Sequence, residues 1–335
     1  MQQGYVTLAH GAGGRQSARL IHDVFRGYLD NPHFTADDAA VMEAPAGRIA
    51  MSTDGFIVSP AEFPGGNVGK LSVCGTVNDL SCMGARPLYL TCSFVLEEGF
   101  SLETLDRIVA AMGKTAREVG VEVVAGDTKV AGKGQVDGCF ITTAGVGRVL
   151  DGVAPAGDKA APGDAVIVTG DIGRHGCAIL LARNDFKIAA DVTSDCAPLW
   201  EGVERLLTAV PDTHVIRDAT RGGVGTVLYE LCDESGVGIR LDQEDIPVDD
   251  AVAGVCGMLG LDPLYLACEG RMVVIVPQGE EDAALEALRS SENTAGATLI
   301  GRVTDTHPGK VVIHTAIGSE AILPEPTGEL LPRIC

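Results

Sequence analysis

Short apolar runs rich in β-branched residues alternate along this chain with segments of helix length, and that alternation constrains the fold more than any other feature. Residues 121–125, 140–146 and 165–169 read as strands, whereas 102–119 and 197–209 read as helices. Interleaving of this kind predicts a mixed α/β (α+β) chain. Further strands are expected near 272–276 and 311–314, with a glycine-rich turn at 170–176. At 335 residues the chain exceeds one ordinary core and suits two domains. The stretch 151–164, with its prolines, glycines and charges, is the expected junction. The reading is a first domain over 1–150, a second over 151–323 and a tail over 324–335. Pro324, Pro326, Gly328 and Pro332 give that tail the composition of an extended, mobile segment carrying Cys335.

Composition narrows the function. The 43 glycines are dispersed through apolar segments and aromatics are only 4%, which is the composition of an α/β enzyme and not of a low-complexity chain. A formal net charge of -21 makes a surface field that repels phosphate backbones and anionic lipid, so neither nucleic acid nor a membrane is expected as a partner. Ten cysteines at irregular spacings include no Cys-x-x-Cys pair, and neither a basic-then-apolar leader nor a membrane-length apolar run is evident. A reducing cytoplasm is the expected compartment. Nine of the cysteines fall mostly in apolar segments and read as small core residues.

Four acidic motifs lie in the first domain: Asp37-Asp38-Ala39-Ala40, Ser52-Thr53-Asp54-Gly55, Val77-Asn78-Asp79-Leu80 and Gly126-Asp127-Thr128-Lys129. Asp54 and Asp127 follow apolar runs and are expected at strand ends, where α/β folds gather ligands. Magnesium takes hard oxygen ligands and is shared between a few carboxylates and the phosphates of a nucleotide, which separated aspartates can supply. Lys129, two residues beyond Asp127, falls on the same face of a continuing strand and adds a cation for a phosphate. Singly, each Asp reads more readily as a turn residue or helix cap; as a set of four they read as a site. Gly11-Ala12-Gly13-Gly14-Arg15, beside His10, is a second phosphate candidate or a plain turn, and no Walker lysine follows it. His175 reads equally as a phosphate contact or a turn histidine. The segment from Asp218 to Gly223 reads as a phosphate turn or as a helix start capped by Asp218 or Thr220.

These aspartate motifs, with Met83-Gly84-Ala85-Arg86-Pro87, resemble the ATP-binding signatures of the aminoimidazole ribonucleotide synthetase (PurM-like) superfamily. That superfamily includes thiamine-phosphate kinase, selenide water dikinase and the hydrogenase maturation family HypE. Similarity to the HypE family extends over almost the whole chain. It is carried by Ala9-His10-Gly11-Ala12-Gly13-Gly14, Phe63-Pro64-Gly65-Gly66, Leu96-Glu97-Glu98-Gly99 and Ser194-Asp195-Cys196-Ala197. Further on come Arg217-Asp218-Ala219-Thr220-Arg221-Gly222-Gly223, Leu259-Gly260-Leu261-Asp262-Pro263-Leu264 and Pro332-Arg333-Ile334-Cys335. The last is the most specific, because other superfamily members are not expected to end in a thiol. One departure stands out: Cys268-Glu269-Gly270-Arg271 occupies the place of the family's Asn-Glu-Gly-Lys.

The resemblance implies a PurM-like architecture whose N-terminal domain binds ATP and pairs with its twin in a homodimer, followed by a C-terminal α/β domain. It implies Asp38, Asp54, Asp79 and Asp127 as magnesium ligands and Asp37, Thr53, Asn78, Gly126, Thr128 and Gly13 as nucleotide contacts. Lys129 and Glu269 would flank the reacting group, and Cys335 would carry it. The implied reaction is ATP-dependent dehydration of an S-carbamoyl group, placed on Cys335 by the carbamoyltransferase HypF, to a thiocyanate. Its cyanide would pass to iron on a HypC–HypD scaffold, toward [NiFe]-hydrogenase. Glu269 is the natural base if burial raises its pKa. Two other readings stay open: a small-molecule kinase or synthetase of the same superfamily with an inert tail, and a thiol carrier without chemistry.

Overall fold

In the computed structural model of the chain, residues 4–33, 39–183 and 186–325 are described. Asp37, Asp38 and Cys335 lie outside the described residues. The first half runs through short helices α1 (Leu8–Gly11), α2 (Gly14–Leu20) and α3 (Arg26–Leu29) into β1 (Ile49–Phe56). A hairpin of β2 (Glu62–Phe63) and β3 (Gly66–Asn67) leads to α4 (Val68–Cys82). Then follow β4 (Ala85–Glu97), α5 (Leu102–Val119), β5 (Glu122–Ala131) and β6 (Cys139–Val149). Four of these strands make a sheet in the order β1-β6-β4-β5, antiparallel except for β4 and β5, which the α5 crossover joins in parallel.

The second half comprises β7 (Ala165–Val168), α6 (Arg174–Arg183), α7 (Trp200–Ala209), β8 (Val215–Asp218), α8 (Gly223–Ser235) and β9 (Gly238–Asp242). It continues through α9 (Asp250–Leu259), β10 (Met272–Val276), α10 (Glu281–Arg289), β11 (Thr298–Thr304), β12 (Val311–His314) and β13 (Glu320–Ile322). Its seven-stranded sheet has the order β13-β12-β9-β11-β7-β10-β8. β7 and β10 are buried along their whole length, which explains why they read as unbroken apolar runs.

Two helices show how local chemistry positions the site. α5 starts where the Ser101 hydroxyl accepts the Thr104 N–H and stops at Gly120, whose φ of 78° the left-handed cap requires. Leu105, Ile108, Val109, Met112 and Ala116 give it one apolar face. α4 is capped by Asn67, whose side chain accepts the N–H groups of Gly69 and Lys70, but it is buried on nearly every side. It packs on β1, β4, β6 and α5 and also on β8 and α7, so it is the strut between the two halves. One apolar core runs through it, from Phe94 and Ile108 past Val73 and Val77 to Leu199 and Val203.

Two expectations need correction. Asp54 and Asp127 do not end strands: β1 continues to Phe56 and β5 to Ala131. Both strands are sheet edges, where a polar side chain keeps its solvent while the backbone stays paired on one side. The helix expected from 197 begins at Trp200, because Pro198 interrupts it and the Leu199 N–H donates instead to Asn78 Oδ1 at 2.9 Å.

Candidate functional site

Carboxyl groups converge at the seam between the halves. Asp54 comes from β1 and Asp79 from α4, and the Ser52 hydroxyl donates to Asp79 Oδ2 at 2.5 Å. Burial raises both carboxyls above their ordinary range; Asp54 adds to the rise at Asp79, and the Arg221 guanidinium opposes it at both. From the other half, Asp218 at the end of β8 is pushed up to about 6, by burial first and then by Asp79. Glu269 is only 3% exposed. Burial pushes its carboxyl well up, and the charges of Cys196, Asp218, Asp195 and Asp54 push the same way. A carboxylate in that setting binds a proton more strongly than an exposed one, as a base facing a weakly acidic N–H requires.

Asn78 stitches this seam together. Its amide donates to Ala197 O at 3.1 Å and Glu269 O at 3.4 Å, and its oxygen accepts the Leu199 N–H. Gly270 is a fixed requirement of the same packing: a Cβ there would lie 1.9 Å from Asp195 O. The Cys268 thiol accepts the Gly173 N–H at 3.1 Å and is fully buried, so it ties the turn before α6 to the Glu269 segment.

A second group of residues lies across the sheet. Asp54, Thr143, Cys92 and Gly126 occupy one cross-strand row on the α4 side, and Gly55, Thr142, Ser93 and Asp127 occupy the next, on the opposite face. Strand alternation puts Lys129 on that open face beside Asp127, and its Nζ lies 2.9 Å from the Asp127 carboxylate. The Lys129 hydrogen bond holds the Asp127 carboxyl below its ordinary range. Three strand spacings, ~14 Å, and the thickness of the sheet therefore separate Lys129 from the Asp54 position. At the same edge a cavity of about 250 Å³ is lined by His10, Gly13, Ser17, Phe25 and Phe94 together with residues 126–129. Gly11 brings α1 onto β5, since a Cβ at that position would meet Val130 N at 2.6 Å.

The structure thus brings Asp54, Asp79, Asn78 and Glu269 to the seam, and Gly13, Gly126, Asp127, Thr128 and Lys129 to the cavity edge. Thr53 sits on the open face of β1, its hydroxyl donating to Thr143 O at 3.2 Å. Among the described residues no three His, Cys, Asp or Glu side chains form a ready metal cage. His175 is buried, its Nδ1 2.8 Å from Ser194 Oγ and its ring edge-on to Phe63. α8 starts at Gly223 with Gly222 as its N-cap, so neither Asp218 nor Thr220 caps it. The nine cysteines other than Cys335 are all buried. Sequence reasoning gave no role to Arg221 or Asp195, because only the tertiary fold carries them to the seam. No helix among the described residues is long and apolar enough to cross a membrane.

Comparison with known proteins places this geometry in a family. Residues 36–149 match the AIR synthase related protein N-terminal domain and residues 161–314 its C-terminal domain. The chain is 46% identical over 334 residues to the carbamoyl dehydratase HypE of Rhodobacter capsulatus, covering 98% of each. It superposes with a TM-score of 0.94 on a crystal structure of the hydrogenase maturation protein HypE in complex with ATP, at 47% identity, covering 98% of this chain and 99% of that one. A structure of a HypE–HypF complex matches with a TM-score of 0.81 and 44% identity, covering 92% and 99%. With both domains matched in order and such identity along its full length, the chain belongs to the AIR synthase related family and, within it, to the HypE carbamoyl dehydratases.

Proposed function

We propose that this protein dehydrates an S-carbamoyl group on its own Cys335 to a thiocyanate at the expense of ATP. The observation that carries the reading is Glu269, a carboxyl shielded from water at a seam that also holds Asp54 and Asp79. Hydroxide is a poor leaving group from an amide, so ATP would phosphorylate the carbamoyl oxygen and phosphate would leave in its place. Removing protons from the carbamoyl nitrogen is the task of Glu269, positioned by the Asn78 bond to its backbone. The relatives named for carbamoyl dehydration and for an ATP complex support this chemistry.

Magnesium suits the donors present. Asp54 and Asp79 are neighbouring hard-oxygen groups whose burial disfavours their charge, and a divalent ion would offset that cost; two carboxylates plus nucleotide phosphates are an ordinary magnesium environment. Asp54 and Asp79 would hold it, with Asp38 as a further ligand and Asp127, which lies beside Lys129 at the far edge of the sheet, joining only from a second copy of the chain; when bound it would supply charge stabilisation for the transferring phosphoryl group. Thr53, Gly126, Thr128, Gly13 and Asp37 are the proposed nucleotide contacts, while Asn78 acts by positioning. A homodimer resolves the separation of Lys129 from Glu269. The uncovered sheet face carries Met51, 72% exposed, and Ile49, 51% exposed, on β1, with Asp127 and Lys129 on β5 at its opposite edge. Pairing two such faces with the β5 edge of one protomer beside the β1 edge of the other would bring Lys129 of one protomer next to the edge strand that carries Asp54 of the other. HypF, found with a HypE in a solved complex, is the proposed carbamoyl donor, and a HypC–HypD complex the cyanide acceptor. The cytoplasm is the proposed compartment, and the domains are proposed to be 1–150 and 151–323.

The reading is tested by weighing the carbamoylated protein before and after ATP and magnesium. Loss of one water from the wild type, and none from Cys335→Ala with ATP binding intact, is the expected result. An unchanged wild-type mass would sink it.

A further inference from the structure

We propose that Asp195 is the second proton acceptor of this site, taking through its Oδ2 the carbamoyl N–H that Glu269 does not take. The inference rests on the dehydration reading above. Asp195 is 7% exposed, and its Oδ2 is buried without a hydrogen-bond partner among the described residues. A buried carboxylate oxygen left unpaired is costly, and such an atom in a well-packed segment marks a place where a donor arrives. The segment is well packed. The Ser194 N–H donates to Pro64 O at 2.8 Å, the Ser194 hydroxyl accepts the Cys196 N–H at 3.0 Å, and Asn78 donates to Ala197 O.

The other oxygen fixes the carboxyl relative to the base: Asp195 Oδ1 accepts the Glu269 N–H at 3.3 Å, and the Asp195 charge acts on the Glu269 carboxyl. Two carboxyl groups therefore share one buried site. A primary carbamoyl nitrogen presents two N–H donors, and nitrile formation removes both. In the first step the carbamoyl oxygen bonds to the γ-phosphorus, the bond from phosphorus to the bridging oxygen breaks, and ADP leaves with that electron pair. One nitrogen proton passes to Glu269. In the second step the remaining nitrogen proton passes to Asp195, the carbon–nitrogen bond becomes triple, and the carbon–oxygen bond breaks. Phosphate leaves with that pair and takes the proton from Asp195. Nothing is oxidised or reduced. A single carboxylate would have to release its first proton before the second step; the pair need not.

The test uses the full-length dimer carrying S-carbamoyl Cys335, with ATP and magnesium, following ADP and intact mass in one turnover. Asp195→Asn keeps the shape and an acceptor for the Glu269 N–H. It is expected to form ADP while losing water about 100-fold more slowly than the wild type. Water loss at the wild-type rate, or a folded variant that forms no ADP, overturns the assignment. Should Asp195→Asn fail to fold, Asp195→Ala is assayed with added formate: acceleration of water loss, with ADP formation unchanged, supports the role, and its absence overturns it. A wild-type protein that loses no water fails the dehydration reading instead, which this design separates from failure of Asp195.

Discussion

Asp79 at the seam and Asp127 on the open sheet face belong to the same acidic pattern in the sequence, yet the fold treats them in opposite ways. Asp127 is exposed, paired with Lys129 at 2.9 Å and held below its ordinary range. Asp79 is partly buried beside Asp54 and Asp218 and is pushed above it. The first arrangement is electrostatically content and contributes little to stability, because exposed pairs are worth ~0–1 kcal/mol. The second stores unfavourable charge that a cation or a proton can relieve, which is how a site is made ready for a ligand at some cost to the fold.

The largest effects should fall on the seam. Glu269→Gln should slow nitrile formation by about 100-fold or more, read by intact mass, with nucleotide binding preserved. A variant that dehydrates normally would move the base elsewhere. Next comes the relation between the two regions. Lys129→Ala and Glu269→Gln dimers should each be impaired, but mixed subunits should recover about a quarter of wild-type turnover, because half of the dimers then contain one intact site. No recovery would place both residues in the same protomer's site and remove the separation between the two regions.

A smaller effect separates the two charge environments by pH. Asp218 has a folded pKa of about 6 against an ordinary value of 3.8. Its contribution to stability is therefore full below the unfolded value and is lost as pH rises through about 6. Asp218→Asn should flatten the fall in melting temperature across that window; an unchanged slope would show that other groups produce it. Asp127 has the opposite sign, stabilising above its ordinary range and losing that contribution as pH falls. Because it is exposed, Asp127→Asn should change stability by no more than about 0.5 kcal/mol in a denaturant titration.

What could be read in advance divides along physical lines. α5 was legible to the residue, because Ser101, the apolar spacing and Gly120 are all local signals. The buried strands β7 and β10 announced themselves as unbroken apolar runs. Strand continuation through Asp54 and Asp127 was not legible, since edge pairing tolerates polar residues that composition assigns to turns. Nor was the separation of Lys129 from Glu269, which depends on strand order and on which face α4 covers. Asn78 was expected at the nucleotide; only the fold shows its amide engaged by residues more than a hundred positions away.

That engagement has a mechanical consequence. Asn78 and Asp79 are consecutive on one buried helix, and Asn78 grips the backbone of the Glu269 segment. Any hinge motion between the halves would orphan up to three buried hydrogen-bonding groups, at ~1–3 kcal/mol each. The Asp79 and Glu269 carboxyls are therefore locked in register like gear teeth on a common shaft. Loading and unloading of such a machine falls to whatever enters the seam, while the seam itself stays shut.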